Sequence, residues 1–259
     1  MIVFENPGDR LMVLMSAGNL AVTQAVIQIV CERLGPNDAS VWNAATMFDA
    51  VRLLGDAVRE VHERDSAALK EAGIEFNCSF IFGGQIRNER MRLFQVYAAG
   101  NFIEATAETP YFQIGEAKYG KPIIDRVVTP TTPLDEAAKC ALISMDSTLR
   151  SNISCGLPLD LLVYEENQLA VTKFVQIDHH NQYMRMISNT WGARLKQVFM
   201  EIPQPTWRDA PSAPDAPLLE TDKTHPVRAP RPATITAAAP VQPVQLVAGT
   251  GATPRQPGS

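Results

Sequence analysis

The sequence predicts an α+β protein, a four-layer αββα sandwich with two antiparallel sheets face to face and helices on their outer faces. Three observations carry this. Strand patterns come in clusters separated by pairs of helical patterns, not in the regular alternation that a doubly wound parallel sheet needs. The cluster from Phe76 to Gly115 is a meander joined by short turns, which suits antiparallel pairing. The run Leu11–Met15 is continuously apolar, so both of its faces are expected to be covered.

Taken in order, Met1–Glu5 reads as a short strand, and Asn6-Pro7-Gly8-Asp9 is a strong turn signal before the apolar strand. A helix is expected over Asn19–Leu34, with Leu20, Ile27, Val30 and Leu34 at helical spacing and Gly35-Pro36 as its stop. A second helix is expected over Thr46–Ala72. Thr46 and Asp49 resemble a capping box, and Met47, Phe48, Val51, Leu54, Val58 and Val61 form its apolar face. The period then changes to strands at Phe76–Phe82, Arg92–Tyr97, Phe102–Ala105 and Phe112–Gly115. Lys118–Val128 reads as helical. Thr132-Pro133-Leu134-Asp135-Glu136 opens another helix, with a capping hydroxyl, proline at N1 and acids in the first turn. Strands at Asp160–Glu165 and Leu169–Ile177 precede a final amphipathic helix over Asn181–Met200. Gly192 in that helix costs about 1 kcal/mol relative to alanine, which suggests a neighbour that needs the space.

Composition divides the chain at residue 202. Twelve of its nineteen prolines follow, with alanine, threonine and glutamine between them. Residues 1–202 are expected to form the folded domain and 203–259 a disordered Pro/Ala-rich tail that buries too little apolar surface to order itself. The net charge of −5 gives no argument for nucleic acid or an anionic membrane surface. No apolar run approaches the roughly 18 residues of a membrane span, and the start has no secretory signal pattern. The four cysteines, Cys31, Cys78, Cys140 and Cys155, have no metal spacing and read as reduced residues of a cytoplasmic protein.

Standard catalytic and cofactor motifs are missing: no nucleophile elbow, Walker loop, dinucleotide fingerprint or zinc-protease helix. No metal or other cofactor is therefore expected. His179 and His180 adjoin Asp178, but no further ligand cluster supports a metal site. Two features stand out. The strand ending at Gly18 passes straight into a helix, a place where bare amides and the positive end of a helix dipole face a ligand, or where the chain simply turns. Asp146, Ser147, Thr148, Ser151, Asn152 and Ser154 crowd the end of a helix, either for a functional purpose or as capping and turn chemistry. The same two readings apply to Glu116 and Lys118, which follow Gly115.

The motifs themselves are familiar. Phe4-Glu5-x-Pro7-Gly8-Asp9-Arg10 and Ser16-Ala17-Gly18-Asn19-Leu20-Ala21 resemble the proteasome-related bacterial peptidase family Anbu, the ancestral beta subunit. Gly83-Gly84-Gln85-Ile86-Arg87, Gly100-Asn101-Phe102-Ile103-Glu104-Ala105-Thr106 and Gln113-Ile114-Gly115-Glu116-x-Lys118-Tyr119-Gly120-Lys121-Pro122 continue the resemblance in order. Ser144-Met145-Asp146-Ser147-Thr148-x-Arg150-Ser151-Asn152 and Gly156-Leu157-Pro158 extend it, so that it covers about residues 1–202.

The resemblance implies the sandwich of N-terminal-nucleophile hydrolases and threonine-type peptide hydrolysis. A leading threonine hydroxyl attacks the carbonyl, and its α-amine takes the proton directly or through water. It implies that the Gly18 amide stabilises the oxyanion, that Ser16 and Leu20 line the specificity pocket, and, less directly, that Ser151 and Ser154 support the nucleophile. In the family the threonine and its aspartate and lysine partners match positions upstream of Met1, so residues 1–259 hold no nucleophile and lack the first strand hairpin. A start assigned at an internal methionine is the expected explanation. A chain that is catalytically silent as written is the other. The resemblance further implies a ring or open ring of like subunits acting on peptide or protein substrates, without nucleic acid or membrane; whether an ATP-driven unfoldase feeds it stays open. A scaffold subunit and a non-peptidase amidohydrolase of the same fold are the alternative functions.

Overall fold

In a computed structural model, residues 1–33, 39–207 and 218–219 are described. The chain divides into two units, Met1–Glu201 and Ile202–Ser259. The first begins with β1 (Ile2–Asn6), β2 (Arg10–Gly18), α1 (Leu20–Glu32) and α2 (Met47–Glu71). β3 (Cys78–Ile86), β4 (Arg92–Val96) and β5 (Phe102–Glu104) follow, then α3 (Lys121–Val127) and α4 (Leu134–Ser151). β6 (Leu159–Val163), β7 (Lys173–Ile177) and α5 (Gln182–Glu201) complete the unit.

β1 to β5 form one antiparallel sheet in chain order, and β6 and β7 pair antiparallel as a second. Period-two alternation sorts the side chains of the large sheet. Met12, Leu14, Phe80, Phe82 and Phe94 join Val26, Met47, Val51, Leu54 and Val58 of α1 and α2 in the main core. Leu11 and Ile81 are buried on the opposite face. That face is tied to the β6–β7 layer, where Gly8 N donates to Leu169 O and Val171 N to Glu5 Oε1. Beyond it, Leu142 of α4 and Met184 and Ile187 of α5 pack on Ile177 and the partly buried Leu159 and Leu161. Helix pair, sheet, sheet, helix layer: the architecture is the four-layer αββα sandwich.

Several local features follow the sequence closely. The Thr46 hydroxyl accepts from Asp49 N at 3.0 Å, the N-cap half of a capping box, and donates to Asp49 Oδ2, so the Asp49 carboxylate is bound to the hydroxyl. Asn19 caps α1 by accepting from Ala21 N and Val22 N. The four cysteines are free thiols, Cys78 and Cys140 buried and the other two partly so.

Others differ. Phe112–Gly115 is not a strand, because Gly115 turns at φ 75° and Gln113 Nε2 donates locally to Glu116 O. β7 starts at Lys173 and not at Leu169, since Asn167 and Leu169 take positive φ in the preceding turn. Thr132 does not cap α4: Pro133 holds the N-cap position, and the Thr132 hydroxyl accepts from Thr129 N instead. Gly192 has no atom within 4 Å of where a Cβ would stand, so no neighbour demands it. Leu34 and Gly35-Pro36, the expected end of the first helix, lie outside the described residues. So does most of the expected tail; within the second unit, Thr206–Trp207 pairs in parallel with Leu218–Leu219.

Candidate active site

β2 is longer than its neighbour. Ile2 of β1 faces Leu14, so the last four residues of β2 have a β-partner only in β3. There Ala17 faces Ser79 and Gly18 faces Cys78, and Asn19 N donates to Asn77 O at 2.8 Å. Antiparallel bonding alternates, so the pair bonded at Asn19 and Asn77 is followed by an unbonded pair at Gly18 and Cys78. The Gly18 N–H and C=O therefore point away from β3, toward the side that β1 does not reach. The residue is exposed.

Only glycine fits there. Its φ is 112°, and a Cβ would stand 2.5 Å from Asn77 O and 2.9 Å from Cys78 Cα. One residue on, Asn19 opens α1, whose N-terminus places partial positive charge beside the free amide. A preorganised donor at a helix start is what an oxyanion site requires.

Ser16 and Leu20 flank Gly18 and are exposed, Leu20 by 69%. Cys78, directly opposite, is buried, and burial pushes its thiol up to about 11. It is a neutral packing residue, not a nucleophile. Thr23, the first threonine of the chain, is buried within α1, its hydroxyl donating to Leu20 O. It has no path to a substrate carbonyl.

Ser151 closes α4 and is exposed, as is Ser154. The turn that holds them is organised by Asn152, whose Oδ1 accepts from Ser154 N at 2.8 Å. Asn152 Nδ2 donates to Glu116 Oε2 at 2.9 Å, and Gly115 lies against Ala17. The α4 end, the loop through Glu116 and the Gly18 strand thus meet at one end of the domain. Of the polar residues crowding α4, Ser144, Asp146 and Thr148 are buried. Asp146 receives Arg150 Nε at 3.3 Å, and the Thr148 hydroxyl donates to Ser144 O. Two links escaped sequence reasoning: Glu116 with Asn152, and the buried Gln85 with Tyr164 and Asn167. Each joins residues too distant in sequence to leave a periodic signal. His179 and His180 are exposed, and among the described residues no group of three or more His, Cys, Asp or Glu stands ready to hold a metal.

The four layers are those of a subunit with the proteasome-beta-like fold. Anbu (ancestral beta-subunit) from Yersinia bercovieri is 50% identical, with a TM-score of 0.73 over 78% of this chain and 84% of that one. Anbu from Hyphomicrobium sp. strain MC1 is 47% identical, with a TM-score of 0.70 over 78% and 84%. A Pseudomonas aeruginosa structure, described as the helical assembly of the Anbu complex, is 43% identical, with a TM-score of 0.75 over 79% and 85%. No family model matches the chain, and no curated protein matches it. The chain belongs to the Anbu family, the ancestral beta subunits.

Proposed function

We infer that this chain is a proteasome-type subunit for threonine-dependent peptide hydrolysis, working among like subunits. One observation carries the reading: the exposed Gly18 amide, turned away from β3 at the start of α1. In this reaction a threonine hydroxyl adds to the substrate carbonyl and its α-amine accepts the proton. The carbonyl oxygen becomes an oxyanion beside Gly18 N–H, and collapse of that intermediate breaks the C–N bond as the α-amine returns its proton to the departing peptide amine. Water then cleaves the acyl-threonine ester, releasing the carboxylic acid and restoring the hydroxyl. Ser16 and Leu20 form the wall against which the substrate side chain packs. Ser151 and Ser154 are assigned, by resemblance, to the support of the nucleophile.

The attacking threonine comes from outside residues 1–259. The resemblance to the family supports this, since the family's leading threonine matches a position ahead of Met1. Expression with the codons that precede Met1 in frame tests it. Peptide hydrolysis that is lost when the leading threonine becomes alanine supports the reading. Hydrolysis unchanged by that replacement, or an upstream stop codon with no threonine-led segment, overturns it.

A second reading, an assembly or scaffold subunit without catalysis, is favoured by the apolar surface of α5. Leu195, Val198, Phe199 and Met200 are each more than half exposed near its C-terminal end. Among the described residues no helix is long and apolar enough to cross a membrane. Assembly with like subunits and a cytoplasmic location are part of both readings. Light scattering after size exclusion tests the shared part: a clean monomer argues against assembly.

A further inference from the structure

Loop 111–120 bridges two elements that chain order keeps apart. At Gly115 it turns with φ 75°, and a Cβ built there would stand 3.6 Å from Ala17 Cβ, in ordinary contact with the strand that ends at Gly18. The next residue, Glu116, uses both carboxylate oxygens. Oε1 accepts from Lys118 N at 2.9 Å and fixes its own turn, while Oε2 accepts from Asn152 Nδ2 at 2.9 Å. Gln113 Nε2 holds the loop from the other side by donating to Glu116 O.

Asn152 is equally committed. Its backbone N donates to Thr148 O and ends α4, its backbone O accepts from Cys155 N, and its Oδ1 accepts from Ser154 N. One side chain therefore shapes turn 152–155 and fastens it to a carboxylate 36 residues away in sequence. The bond is partly shielded from water and charge-assisted, which makes it stronger than a neutral pair.

We propose that the Glu116–Asn152 hydrogen bond is a clip that sets the α4 C-terminal turn against the Gly18 end of β2, so that Glu116 is a positioning residue for the candidate site. The clip acts through geometry. Glu116 holds Asn152, Asn152 holds the turn carrying Ser151 and Ser154, and Gly115 seats the same loop on Ala17. Its catalytic consequence rests on the function proposed above; the linkage does not.

Residue-resolved amide hydrogen exchange on the full 259-residue chain tests it. The variants are Glu116→Ala, Asn152→Asp and the pair Glu116→Gln with Asn152→Asp. In the pair the bond is inverted: the new amide nitrogen at 116 donates to the new carboxylate at 152, and the Lys118 and Ser154 amides keep their acceptors. In each single variant, exchange at Ala17 and Asn19 and at Asn152, Ser154 and Cys155 is expected to rise about tenfold. The pair is expected to return it toward the parent value, with α2 amides unchanged throughout. Unchanged exchange at Ala17 and Asn19 in the single variants, or no recovery in the pair, overturns the proposal. Should Glu116→Ala fail to fold, Asn152→Asp and the pair decide alone. Failure of peptide hydrolysis counts against the role of Gly18 and leaves the exchange result standing, so the two readings fail separately.

Discussion

Gly18 lies so near Asn77 that a Cβ at position 18 would come 2.5 Å from the Asn77 carbonyl oxygen. The positive φ of Gly18 and the close approach of β3 are one arrangement. Replacing Gly18 by alanine is expected to destabilise the fold by about 2–3 kcal/mol, combining left-handed strain with a backbone clash. Denaturant unfolding measures it. A loss below about 0.5 kcal/mol would show that β3 gives way freely there.

Gly192 makes the opposite prediction. It is helical and has open space where a Cβ would go. Gly192→Ala should stabilise the domain by about 1 kcal/mol. Thermal unfolding of the variant reads this as a raised midpoint, and a lowered one contradicts it.

Gln85 is 1% exposed and fully used. Its Nε2 donates to Glu89 O and Asn167 Oδ1, and its Oε1 accepts from Tyr164 OH and Asn167 N. Gln85→Leu keeps the bulk but strands those partners, and is expected to cost about 2–4 kcal/mol. The residue sits opposite Leu11, at the far end of β2 from Gly18. Amide exchange at Asn19 should therefore follow only the global loss, with no extra local opening.

Glu104 gives the acid limb. Arg92 binds both its oxygens, at 2.9 and 2.6 Å, with Arg90 adding a third contact. The Arg92 hydrogen bonds hold the Glu104 carboxyl below its ordinary value of 4.5. A depressed carboxylate contributes stability that is present above the unfolded value and lost as pH falls through the folded one. Unfolding free energy should therefore drop below pH 4.5, and Glu104→Gln should flatten that drop. Parallel pH curves for the two proteins would contradict the assignment.

The elements that depend on local pattern were legible from residues alone. Met47, Val51, Leu54 and Val58 recur at helical spacing and line the main core, whereas the strand expected over Phe76–Phe82 begins at Cys78 and runs through Gly83-Gly84 to Ile86, because both glycines are paired with β2 and β4. The position of Gly18 at a strand-to-helix join was legible too, but its φ and the direction of its amide were not. Those depend on where β1 stops and on the register with β3, which are tertiary facts. Glu116 looked like one polar residue among several because its partner is 36 positions away. Phe112–Gly115 has the apolar content of a strand, yet Gly115 turns the chain and no strand forms there.

The central claim is that the Gly18 amide receives the oxyanion. A crystal structure of the protein extended through the codons before Met1, bound to a peptide aldehyde, tests it most directly. The adduct oxygen should lie about 2.7–3.1 Å from Gly18 N, with its carbon bonded to a threonine hydroxyl. An adduct whose oxygen points away from Gly18, or a protein that forms none, would contradict the account.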